Sequence, residues 1–161
     1  MPEPIQGLVD ELRAARDEFF VALGDIEPGL LLAPGLVGEW SALELVAHLA
    51  YWNGHATEAI HHAEQDRLDA FMTDDVSVDD RNAVVARVAR EADYATAQKR
   101  EAATFDAFVK RLRTVEPDWL SEIDADGDTL QEIVLYDGAD HYREHTADIR
   151  AWFSGAPEDD D

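Results

Sequence analysis

Apolar residues in this chain recur every third or fourth position through four long stretches, a spacing that a helix turns into one buried stripe. The first stretch runs from about Ile5 to Leu23, with Ile5, Leu8, Leu12, Phe19 and Leu23 on one face. After a loop, Glu27–Glu39, packed by its own leucines, Ser41 and Glu44 form a capping box that opens a second helix. Leu49, Trp52, Ala56, Ile60 and Ala63 carry that helix on to about Asp69. The acidic segment Thr73–Asp80 breaks the pattern. A long third helix is then predicted from about Asp80 to Arg113, through Val84, Val88, Phe105, Val109 and Leu112, with Pro117 beyond its end. Thr129 and Glu132 form a second capping box, opening a fourth helix that continues through Phe153. Few alternating, strand-like runs compete with these stretches. Four amphipathic helices of this length bury their stripes most simply as an all-α four-helix bundle. No repeat or linker divides the chain, so residues 1–155 read as a single domain and 156–161 (APEDDD) as an acidic tail.

Charge narrows the partners. Thirteen Lys and Arg against 36 Asp and Glu give a net charge of −23 over 161 residues. Such a surface repels phosphate, so the charge argues for no nucleic acid and no membrane among the partners. There is no cysteine, which removes disulfides, thiolate metal sites and a catalytic thiol. The opening MPEPIQGLVDEL lacks the basic and apolar regions of a signal peptide, and a cytoplasmic location is expected.

The chemistry concentrates on the fourth helix. Leu130, Val134, His141, His145, Ile149 and Trp152 share one stripe, so two histidines stand inside the apolar seam. A buried imidazole needs partners for its nitrogens. Two accounts supply them. Spacing of i, i+4 brings both rings to one face, the arrangement of two metal ligands. Alternatively, each ring bonds a carboxylate, such as Asp137 or Asp148, as an ordinary core histidine. On the second helix, His48 falls at the edge of the apolar arc. His55 and His62 follow at steps of seven as boundary residues facing solvent or a cavity mouth, and His61 points outward.

The segments GEWSALELVAHLAYW (Gly38–Trp52) and DHYREHTADIRAWF (Asp140–Phe153) together resemble the DinB/YfiT-like superfamily. Asn82, opening the long third helix, is similar to the maleylpyruvate-isomerase N-terminal and colibactin-resistance-type branches. The resemblance covers most of the chain in order and spacing. It implies a four-helix bundle, commonly a homodimer, in which His48, His141 and His145 hold a divalent metal ion. Leu30, Leu31, Leu32 and Leu36 in the first loop are apolar surface that such a dimer, or the bundle's own end, would cover.

Three neutral imidazoles leave a divalent ion its full charge and an open position. Zinc or nickel suits that donor set. With no cysteine in the chain, a thiol would have to come from a low-molecular-weight cosubstrate. Asp137, Asp148 or Glu44 could orient a ligand's second nitrogen. Two other motifs weigh less. His141-Tyr-Arg-Glu-His145 matches the inverted zinc-protease pattern, but Glu144 is rotated off the seam. Asp124-Ala-Asp-Gly-Asp128 begins like a calcium loop, yet Thr129 and Leu135 stand where glycine and glutamate are needed. Tyr51, Trp52, Tyr142 and Trp152 read as core first and cleft second. The sequence therefore leads to a metal-dependent enzyme acting on a small-molecule substrate, of the thiol-dependent transferase or hydrolase type. A non-catalytic ligand-binding or stress-associated bundle is the alternative.

Overall fold

A computed structural model describes residues 2–155; the predicted acidic tail lies outside the described residues. Among the described residues there are six α-helices: α1 (Glu3–Gly24), α2 (Ala42–Glu64), α3 (Val78–Arg90), α4 (Tyr94–Leu112), α5 (Leu130–Asp137) and α6 (Ala139–Ser154). Both capping boxes form as the sequence dictates. At α2, Glu44 accepts from the Ser41 N–H at 3.2 Å, and at α5 the Glu132 N–H reaches Thr129 Oγ1 at 3.1 Å.

Two helices expected to be continuous are broken. The third divides at Glu91–Asp93, because Asp93 acts as an N-cap: its carboxylate accepts from the Thr96 N–H at 2.8 Å. Only α4 belongs to the central core, through Ala97, Phe105, Phe108, Val109 and Leu112. Helix α3 lies outside on α2, burying Ala86 and Ala89 while Val84 and Val88 stay 48% and 45% exposed. The fourth divides at Gly138, where a Cβ would stand 2.6 Å from the Val134 carbonyl oxygen. Any side chain there would collide with main chain, so glycine permits the bend.

Helices α1, α2, α4 and the bent α5–α6 rod make the four-helix bundle. Helix α2 packs on α4 and α5, and α1 packs on α6 and, less extensively, α4. Among the described residues no helix is long and apolar enough to cross a membrane. One buried polar chain ties all four rods together. Arg16 of α1 donates to both Glu101 oxygens on α4 at 2.7 and 2.8 Å. The Tyr142 hydroxyl of α6 donates to Glu101 at 2.6 Å and accepts from Asn53 of α2 at 2.8 Å. Glu101, Asn53 and Tyr142 are each 0% exposed. Burial, followed by the nearby Glu101 charge, pushes the Tyr142 phenol well above its ordinary 10.0. Tyr142 is therefore a core anchor one residue from His141, which it helps to hold in place.

Candidate metal centre

His48 sits about two turns into α2, and His141 and His145 lie one turn apart near the start of α6. Packing of α5–α6 on α2 brings the three rings to one point. His48 Nε2 is 2.8 Å from His141 Nε2, which is 3.1 Å from His145 Nε2. The rings are only 6%, 8% and 6% exposed. Among the described residues these three form a group able to hold a metal ion, with one donor atom each.

The donor chemistry fits a cation. Neutral imidazoles carry one N–H each, and three nitrogens aimed at each other cannot all be satisfied by sharing protons. Nitrogens on a common tetrahedral zinc stand about 3.3 Å apart, close to the observed separations. The outer nitrogens differ. His145 Nδ1 is fixed by Asp148 at 2.9 Å, the carboxylate–imidazole pairing that orients metal ligands. His141 turns toward the main chain of Asp137 and His48 toward the Asn82 side chain, neither Nδ1 reaching full hydrogen-bond geometry.

Burial first, and then the neighbouring His145, lowers His48 from 6.5 to about 3. The same causes, with His48 added, lower His141 to about 2. Both are therefore unprotonated lone-pair donors at neutral pH. Once unfolded, each ring protonates near its ordinary value. The metal-free protein is accordingly expected to lose stability as pH falls through 6.5 toward the folded values. Asp137, whose own burial raises its pKa, acts in the opposite sense. The informative comparison is thus urea midpoints of wild type and His48→Gln across this range. The variant should show the flatter pH dependence; parallel curves would contradict the assignment.

Asp137 does not orient a ligand ring with its side chain. Its carboxylate pairs with His55 Nδ1, and the bend at Gly138, between Asp137 and His141, separates the two residues' helices. His55, expected at a boundary, is half-buried and leaves Nε2 without a partner. Glu44, which keeps its capping role, is buried, with Arg90 donating to it at 2.9 Å. His61 is half-buried beside Gln65 and not turned fully outward, and His62 Nδ1 bonds the Glu58 carbonyl at 2.8 Å. Neither touches the triad.

The triad forms part of the wall of a cavity of about 560 Å³. Trp40, Trp52 and Phe71 line it, and the Trp40 ring centroid lies 4.8 Å from that of His48. Of the four aromatics considered for a cleft, only Trp52 faces this cavity; its Nε1–H donates to Asn82 at 2.8 Å. Phe71 and Met72 come from an irregular segment after α2, and no local pattern marks them. Glu144 is exposed among the lining residues, and Asp124 accepts from the Asp126 and Asp128 N–H groups, both at 2.9 Å.

A model of the DinB superfamily matches residues 11–155, and the chain belongs to that superfamily. No curated protein matches it. Among solved structures it is similar to the colibactin self-resistance protein ClbS in complex with a dsDNA, with TM-score 0.72 and 14% identity over 91% of this chain and 93% of that one. An uncharacterised protein from Escherichia coli UTI89 matches with TM-score 0.74 and 15% identity over 96% and 95% of the two chains. A Streptococcus pneumoniae protein matches with TM-score 0.66 and 10% identity over 96% and 92%. These similarities establish the fold. They also correct the exclusion of nucleic acid, since a protein of this fold is captured on duplex DNA. Net charge sums over a whole surface, whereas local charge and bound cations decide contact with phosphate.

Proposed function

We propose that His48, His141 and His145 bind one divalent cation, zinc or nickel, and that the protein is a metal-dependent enzyme acting on a small molecule in the adjoining cavity. The observation that carries this reading is the meeting of three buried Nε2 atoms at the wall of that cavity. When bound, the ion would lower the pKa of a coordinated water or thiol toward neutrality and polarise a carbonyl. Asp148 holds the His145 ring in orientation by accepting from Nδ1. His55, its Nδ1 bonded to Asp137, forms part of the cavity wall beside the triad. Trp40 and Trp52 shield the triad from bulk water and so strengthen electrostatics beside it.

Cobalt(II)-loaded protein tests the catalytic part. An open coordination position predicts a visible spectrum that shifts when imidazole is added. A spectrum indifferent to imidazole would mean a closed site and favour the non-catalytic bundle. A second reading is that this chain, too, binds duplex DNA. It is favoured by the dsDNA in the ClbS complex and is tested by titrating a short duplex into the metal-loaded protein.

A further inference from the structure

Much of the polar lining of the cavity is acidic. Asp124, Asp126, Asp128, Glu132 and Glu144 line it, and no lysine or arginine is among the lining residues. Elsewhere arginines neutralise carboxylates: Arg16 pairs with Glu101, Arg81 with Asp74, Arg90 with Glu44, Arg111 with Glu64 and Arg143 with Glu11. Asp126, Asp128 and Glu144 have no such ion pair among the described residues. Their mutual repulsion is felt locally. Asp128 has its carboxyl raised by desolvation and then by Asp124, Glu132 and Asp126. A divalent ion on the triad would offset two of these negative charges and leave the cavity anionic.

The aromatic lining turns this charge into a recognition surface. Trp40, Trp52 and Phe71 line the same cavity, and aromatic rings attract cations as well as apolar groups. We propose that the cavity selects a cationic small molecule, an amine, guanidinium or quaternary ammonium with an apolar body. Its positive group lies against Asp126, Asp128 and Glu144, and its apolar body packs on the tryptophans. This inference rests on the metal-enzyme reading, and it runs against what a bare three-histidine cation would choose, since an unshielded divalent ion favours carboxylates.

The test is calorimetric titration of metal-loaded protein at low salt with phenyltrimethylammonium and with 3-phenylpropionate. The ammonium cannot coordinate a metal, so its binding reports the wall and the rings. It should bind at least about tenfold more tightly than the carboxylate, because several exposed ion pairs contribute a few-fold each. The triple variant Asp126→Asn/Asp128→Asn/Glu144→Gln changes exposed side chains, and should lose about tenfold in ammonium affinity with metal content unchanged. Tighter binding of 3-phenylpropionate, an unaltered triple variant, or displacement of the ammonium by a DNA duplex would each overturn the proposal. If metal fails to bind but the ammonium preference persists, the metal reading falls and the cation-selective cavity stands.

Discussion

Replacing Glu101 by alanine is expected to destabilise the fold by about 3 kcal/mol, among the largest single losses available in this chain. Glu101 is wholly buried, and its two oxygens answer the Arg16 guanidinium and the Tyr142 hydroxyl. Alanine would leave both donors without their acceptor inside the bundle, and an uncompensated buried charge costs far more than the pair contributes. Arg16 keeps some contact with solvent, its side chain being 23% exposed, which places the loss at the lower end for buried pairs. Its guanidinium also lies 4.4 Å from the Phe105 ring centroid, so it is not left wholly without a partner. Glu101→Gln retains an acceptor and should cost less than half as much. Urea denaturation measures both, and a loss below about 1 kcal/mol for the alanine variant would show that the chain of bonds is not structural. Because Tyr142 adjoins His141, Glu101→Ala should weaken metal binding as well.

The second large effect concerns the triad. His141→Ala removes the imidazole whose Nε2 lies next to both others, and metal affinity should fall by more than about a hundredfold. Asp148→Asn keeps the ligands but weakens the hold on His145 Nδ1, and an effect of about tenfold to a hundredfold is expected. His61→Ala should leave affinity unchanged, since His61 has no contact with the triad. Competition with a chelating dye gives all three values. Equal affinities across the series would remove the triad from metal binding altogether.

Helix α1 and the start of α2 were legible in the sequence because their signals are local: an apolar stripe, a capping box and a loop rich in proline and glycine; α2 itself stops at Glu64, short of the expected Asp69. The breaks at Asp93 and Gly138 were not. Val84 and Val88 fit the helical spacing, yet they face outward, because spacing reveals that a helix has a face without saying which face meets the core. A glycine inside a helical pattern is usually tolerated, and only the close approach of the Val134 carbonyl shows what this one permits. At the site, the pairing of His145 with Asp148 lay within one helical turn and could be anticipated. The pairing of His55 with Asp137, 82 positions apart, could not. The same holds for Arg16 and Glu101, separated by 85 positions, and for the part played by Phe71 in the cavity. Such contacts depend on how the rods are arranged about each other, which no local pattern encodes. His48 joined the other two histidines through family resemblance, not through any spacing of its own. The acidic wall was visible as composition, but its lack of arginine partners is a property of the fold.

The most direct measurement is the metal content of protein purified without an affinity column that carries metal. After dialysis against trace zinc or nickel, about one ion should remain per chain, and the same treatment of His141→Ala should leave almost none. Wild-type protein that is folded yet retains no more metal than the variant would contradict the account, and the three histidines would then be core residues that hold no ion.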